Sequence, residues 1–325
     1  MGEALKVFSG TANRPLAESI CRYLEIPLGK ITLYRFPDGE IGCKIDEDVR
    51  GRDVFLVQPT SPPVNENIME LLTMMDSFRR ASAQRITAVI PYYGYARQDR
   101  KDEGRVPITA KLVANLITTA GAHRVLCLDL HAPQVQGFFD VPVDHLYAAP
   151  ELEKAVKKEM PNAAGNELVL VSPDEGRIKL ALKYQRQFPG ASLAIIDKRR
   201  SSATETVQAN IIGGPVAGRT AIIVDDMLST GGSIVGAAQV LADNGVKQIW
   251  VCITHGLFAG DAVAKLQKAP IDRIFVTDTV PPPDIAKKEL GLHVQTVAPL
   301  IGEAIKRIHL NQSVSYLFNG RQSER

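Results

Sequence analysis

Two adjacent carboxylates, Asp225 and Asp226, close an apolar β-branched run at 221–224 and stand just ahead of the small-residue stretch STGGS at 229–233. Paired carboxylates can accept hydrogen bonds from both hydroxyls of a sugar diol, or they can hold a divalent cation. The stretch after them leads into an apolar-periodic segment, so it should form the turn that opens a helix. Such a turn is an anion cradle, because backbone N–H groups point outward and the helix dipole favours negative charge. Gly231 and Gly232 let a phosphate approach the backbone, and Ser229, Thr230 and Ser233 add hydroxyl donors. Diol recognition beside a monophosphate pocket is the chemistry that a ribose 5-phosphate unit fits. The plainer alternative is an acidic pair that merely ends a strand and caps a turn.

Three other stretches carry chemistry-bearing residues. The segment at 91–107 is long and polar and holds Arg97, Arg100, Lys101 and Arg105. Four cations in one strand-to-helix connection repel one another unless an anion neutralises them, so either a polyphosphate guest or a solvated loop explains them. His131 and Asp174 each fall just past the carboxyl end of an apolar run, where open α/β sheets bind ligands. The cationic stretch DKRR at 197–200 falls between two strands, which suggests a lid that closes over phosphates. FPDGE at 36–40 reads as a turn with one exposed aromatic.

These residues need a scaffold, and the apolar pattern supplies one. Buried-strand runs at 5–9, 54–58, 86–90, 125–128, 168–171, 193–196, 221–224, 249–254 and 273–277 alternate with helical periodicity. A turn at 36–40 joins two further strands. The expected fold is α/β, with two doubly wound parallel-sheet domains. The pattern restarts near Tyr147, so the first domain spans 1–148 and the second 149–309. Alternation at 313–318 predicts a strand-like tail, with 310–325 docking back on the first domain.

Composition excludes several classes. The chain has 325 residues, with 38 basic against 36 acidic and a formal charge of +2, so no global field favours nucleic acid or a membrane surface. Cys21, Cys43, Cys127 and Cys252 lie far apart in sequence, without zinc-site or disulfide-framework spacing. No signal-peptide pattern or membrane-length apolar stretch occurs, so a reducing cytoplasm is the expected compartment.

The acidic pair and its loop resemble the phosphoribosyl-diphosphate signature of the type I phosphoribosyltransferase fold. Taken with FPDGE (36–40), SPPVNEN (61–67), PYYGYARQDRK (91–101), DLHAPQVQGFFD (129–140) and DKRR (197–200), the chain resembles the ribose-phosphate diphosphokinases over nearly its whole length. The resemblance implies transfer of the diphosphoryl group of Mg-ATP to the C1 hydroxyl of ribose 5-phosphate, with Mg2+ as cofactor and a homohexamer as assembly. It implies that Phe36, Asp38 and Glu40 hold adenine from a neighbouring subunit, while Arg97, Gln98 and Asp102 contact ATP. His131 and Asp174 would orient the metal, Asp225 and Asp226 the ribose hydroxyls and metal, and residues 229–233 the 5-phosphate. Lys198, Arg200 and His131 would be catalytic, and Arg50, Lys101, Arg105 and Ser313 would form a regulatory anion site. Departures from the family pattern are Ser229, Gly231, Glu175, Arg177 and Asp48. A phosphoribosyltransferase would share the loop but has no need of FPDGE and YYGYARQDRK. A silent homologue would have lost the lid or the acidic pair, and this sequence retains both.

Overall fold

The computed structural model describes residues 4–162, 164–199 and 208–317, leaving the side chains of 198, 199, 208 and 209 outside the description. The chain forms two compact units, one running to Tyr147 and resuming at Thr296, the other spanning Ala148–Gln295.

In the first unit β1 (Leu5–Ser9), α1 (Arg14–Leu24), the hairpin of β2 (Ile31–Arg35) and β3 (Ile41–Ile45), β4 (Asp53–Val57), α2 (Val64–Arg80), β5 (Arg85–Ile90), α3 (Thr109–Ala120), β6 (Arg124–Leu128) and β7 (Val143–Leu146) follow in order. The sheet order is β1-β4-β5-β6-β7, with every pair parallel. Alternation assigns each strand face its cover. Phe8, Val54, Leu56, Ile86, Ala88 and Ile90 pack against α2, α3 and the hairpin. Val7, Phe55 and Val57, which alternate with them, are also fully buried. A parallel sheet covered on both faces needs such continuous apolar runs.

In the second unit α4 (Ala149–Glu159), β8 (Leu168–Ser172), α5 (Ile178–Gln187), β9 (Ser192–Arg199), β10 (Gln208–Gly213), β11 (Thr220–Leu228), α6 (Gly232–Asp243), β12 (Gln248–Gly256), α7 (Ala262–Lys268), β13 (Arg273–Thr277), α8 (Asp284–Leu290) and β14 (His293–Gln295) build a second sheet. Its order is β10-β9-β8-β11-β12-β13-β14, and only β10 runs antiparallel. Val169, Ala221, Ile223, Val251 and Ile253 pack on the α6 side, whereas Leu170, Ile222, Val224, Trp250 and Cys252 pack on the side of α4 and α5. The chain leaves β8 in one direction for β9 and β10, then returns to β8's other flank as β11. That reversal makes the carboxyl ends of β8 and β11 a topological switch point, the place where open α/β sheets bind ligands.

The last helix, α9 (Ala298–His309), packs on α1 in the first unit. The sequence reading carried the second domain through residue 309, but the helix is held to the first sheet by polar contacts that its apolar spacing does not reveal. Asp53 pairs with Arg85, and His309 Nδ1 lies 2.7 Å from Asp53 Oδ2. Arg85 also donates to the Ile308 carbonyl at 3.1 Å. Asp53→Ala removes the shared carboxylate and leaves two partners facing each other in a largely buried site, so a loss of about 3–5 kcal/mol in unfolding free energy is expected. Denaturant titration measures it, and a change below about 1 kcal/mol would show that the triad does not anchor α9. Beyond α9 the tail forms a short 3-10 turn at Ser315–Leu317 rather than the expected strand, with the Arg307 guanidinium 5.1 Å from the Tyr316 ring centroid.

Candidate functional site

The acidic pair lies inside β11, not at its end. The sequence reading stopped this strand at Val224, yet pairing with β12 continues through Asp225↔Ile253, Met227↔His255 and Leu228↔Gly256. Pairing with β8 ends at Ile223↔Val171. The flank that β8 vacates is taken by the turn after it, where Ser172 Oγ donates to the Asp174 carbonyl at 2.7 Å and a 3-10 turn spans Glu175–Arg177. That turn brings Arg177 to the acidic pair. Its Nε lies 3.1 Å from Asp225 Oδ1 and 3.0 Å from Asp226 Oδ1. The near-equal distances make this an ionic contact shared between the two carboxylates.

The pair is nearly dry, with Asp225 and Asp226 side chains 10% and 4% exposed. Asp225 Oδ1 also accepts the Asp226 backbone N–H at 2.8 Å. Burial pushes the Asp225 pKa well above the ordinary carboxylate range, the charge of Asp226 adds to the rise, and Arg177 opposes it. Arg177 is the residue at the acidic pair that sequence reasoning did not place there. It stood out only as a departure from the family pattern, since nothing in local spacing links it to residues so distant in the chain.

The loop after β11 forms the expected helix entry. Gly231 occupies the N-cap of α6 at φ 77°, in the left-handed region, and supplies no side-chain cap. The first N–H groups of a helix have no partner inside it, so this end is a ready anion site. A Cβ built on Gly232 would meet nothing within 4 Å, so the helix start faces open space. The loop is held from behind, since the Ser229 carbonyl accepts Ala259 N–H at 2.9 Å and the Leu228 carbonyl accepts Leu257 N–H at 2.9 Å. Asp174, Asp225, Asp226 and residues 229–233 therefore all belong to the second unit, Asp174 just past β8 and the others in the carboxyl-terminal part of β11 or just past it.

Lys198 pairs through its backbone with Ala209 in the β9–β10 ladder. Its side chain and all of Arg200 lie outside the described residues, as does most of the expected lid.

In the first unit, Phe36, Asp38 and Glu40 form the tip of the β2–β3 hairpin. Phe36 N–H donates to the Glu40 carbonyl at 2.8 Å, and Glu40 N–H donates to Asp38 Oδ1 at 3.2 Å. Phe36 is 45% exposed and meets Tyr34 edge-on at 5.2 Å between centroids. Arg97, Gln98, Lys101, Asp102 and Arg105 are exposed on the connection between β5 and α3, which is anchored by Tyr93 Oη to the Ala110 carbonyl at 3.0 Å and by Thr109 Oγ1 to Gln98 Oε1 at 2.9 Å. His131 follows β6 at the same edge of the sheet, half-buried.

Beneath that edge lies a buried polar cluster that sequence reading did not single out. Glu70 accepts Thr11 N–H at 2.6 Å and Gln58 Nε2 at 2.9 Å, while Gln58 Oε1 accepts Ala12 N–H at 3.2 Å. A Cβ on Gly10 would come within 2.2 Å of Gln58 Oε1, so only glycine admits the approach. At the other end of the unit Asp48 Oδ1 accepts Arg50 N–H at 3.1 Å, a turn contact, and Arg50 Nη1 donates to Ser82 Oγ at 3.4 Å. Ser313 is exposed and accepts Arg307 Nη1 through its carbonyl at 3.2 Å.

Among the described residues no group of three or more His, Cys, Asp or Glu side chains is placed to hold a metal by itself. The oxygens of Asp174, Asp225 and Asp226 nonetheless suit Mg2+, which keeps most of its waters and takes one or two carboxylates plus substrate phosphates. No helix among the described residues is long and apolar enough to cross a membrane.

Residues 5–121 match the model for the N-terminal domain of ribose phosphate pyrophosphokinase, and residues 196–319 match the phosphoribosyl synthetase-associated domain. A ribose-phosphate pyrophosphokinase of Rhodopirellula baltica is 62% identical over 98% of this chain and 99% of its own length. The Thermotoga maritima ribose-phosphate pyrophosphokinase is 53% identical over 97% of this chain and 98% of its own. The crystal structure of phosphoribosylpyrophosphate synthetase from Mycobacterium smegmatis superposes with a TM-score of 0.88 at 39% identity, covering 95% of this chain and 100% of that one. With these matches running over nearly its whole length, the chain belongs to the ribose-phosphate pyrophosphokinase family.

Proposed function

We propose that this site binds ribose 5-phosphate and that the protein transfers the diphosphoryl group of ATP to its C1 hydroxyl, giving 5-phosphoribosyl 1-diphosphate and AMP for nucleotide synthesis. The observation that carries the substrate assignment is the acidic pair placed one turn ahead of the α6 N-terminus. The carboxylates accept the ribose hydroxyls, and the 229–233 backbone and hydroxyls take the 5-phosphate. Holding both ends of the sugar fixes C1, which is the positioning that phosphoryl-type transfer chiefly needs. Arg97, Gln98 and Asp102 bind the ATP chain, and Phe36, Asp38 and Glu40 of a neighbouring copy take the adenine. Lys198 and Arg200 supply cations to the transferring group and exclude water. Asp174 and the acidic pair would hold Mg2+ through its waters, and the ion would supply charge neutralisation at the phosphates; a metal-orienting role for His131 is carried by the family resemblance alone. The reading includes a homohexamer in the cytoplasm.

AMP formation tests this directly: it should require ATP and ribose 5-phosphate together, and AMP released equally well without the sugar contradicts the assignment.

Regulation by an anion at Arg50, Lys101, Arg105 and Ser313 is opposed by Asp48. Its exposed carboxylate lies two residues from Arg50 and repels a phosphate. Activity without added phosphate should therefore remain a large part of the maximum. A steep requirement for millimolar phosphate in initial-rate assays would refute the expectation.

A further inference from the structure

Arg177 sits where a diol-reading site is most sensitive to orientation. Its guanidinium reaches Asp225 Oδ1 and Asp226 Oδ1 at 3.1 and 3.0 Å, and its side chain is only 18% exposed. The backbone that presents it is short and braced. Ser172 Oγ holds the Asp174 carbonyl, Arg177 N–H returns to that carbonyl at 3.4 Å, and α5 starts at the next residue. Two buried carboxylates on consecutive residues repel each other, and consecutive residues of a strand project to opposite faces. A planar cation bridging one oxygen of each counters both tendencies. The contact thus does more than balance charge, since it ties the two carboxylates to one point in space.

We propose that Arg177, a residue particular to this chain's version of the site, is a positioning residue that sharpens its preference for a cis-diol and so strengthens selection of ribose 5-phosphate over 2-deoxyribose 5-phosphate. The inference rests on the reading that Asp225 and Asp226 bind the ribose hydroxyls. The 5-phosphate cradle is built from the backbone of a different segment, 229–233, and does not depend on Arg177. Loss of Arg177 should therefore weaken diol recognition and spare phosphate recognition.

The test is calorimetric titration of the full-length protein, saturated with Mg2+ and the α,β-methylene analogue of ATP, with each sugar phosphate. Wild type should bind ribose 5-phosphate at least about tenfold more tightly than the 2-deoxy sugar, as expected for hydroxyls bonded to charged acceptors. In Arg177→Gln the ribose affinity should fall about tenfold while the 2-deoxy affinity moves less than about threefold, narrowing the preference. Arg177→Lys keeps the charge without the planar fork and should show an intermediate preference. It also carries the test if the glutamine variant fails to fold. A variant that weakens both sugars equally, or neither, overturns the proposal and leaves the site assignment standing. Wild type that binds both sugars equally overturns the diol assignment itself, and the proposal with it.

Discussion

Lys198→Ala is expected to lower kcat by about 10³–10⁵-fold, the range seen when a cation that meets the transferring phosphoryl group is removed. Attack at the β-phosphorus spreads charge over its oxygens, and a cation already in place costs no reorganisation when that charge develops. Lys198 is carried by β9, the neighbour of β8, and lies one register position past Asp197↔Asn210 and one before the strand's last residue, Arg199. The ribose hydroxyls and 5-phosphate are assigned to other elements, so ribose 5-phosphate affinity should change by less than about threefold. Single-turnover quench experiments separate the two effects. An unchanged chemical step, or a loss confined to sugar binding, would remove Lys198 from its catalytic role.

Asp226→Asn is expected to reduce kcat/KM for ribose 5-phosphate by about 10²-fold, because a hydrogen bond from a substrate hydroxyl to a buried charged acceptor is worth about 1.5–3 kcal/mol. The substitution keeps the volume and removes the charge, leaving Arg177 to Asp225 alone. A pH signature accompanies it. In wild type, burial and the Asp226 charge hold the Asp225 pKa above the ordinary range, so the ionised acceptor is lost as pH falls through that raised value and ribose affinity falls with it. Asp226→Asn removes the like charge while Arg177 still favours ionisation, so the same inflection should move to lower pH. Binding titrations across the acid range check this. An inflection that stays in place would mean that Asp225 ionisation does not control sugar binding.

Much of the fold is legible because strands buried on both faces read as unbroken apolar runs, as β4 and β8 do. The exceptions have physical causes. β7, VDHL, escapes the apolar search because it is an edge strand that spends Asp144 on an ion pair with Arg124 at 2.6 Å. β11 looks shorter than it is because two carboxylates interrupt its apolar run, and a cation from another segment helps to make their burial tolerable. The amphipathic spacing of α9 shows that it covers a sheet but not which one; that choice rests on Asp53, Arg85 and His309, which are scattered through the sequence. At the site, the loop at 229–233 was readable because helix entries have local signatures. Arg177 was not, because it acts through a partner that only the reversal of strand order beside β8 brings near.

The central claim is diphosphoryl transfer to the anomeric hydroxyl, and ³¹P NMR of the purified protein with Mg-ATP and ribose 5-phosphate, without added phosphate, tests it most directly. The account predicts loss of the ATP signals with concurrent growth of AMP and of a sugar-linked diphosphate. Persistence of ATP with and without added phosphate would contradict it, as would conversion of ATP to ADP and phosphate alone.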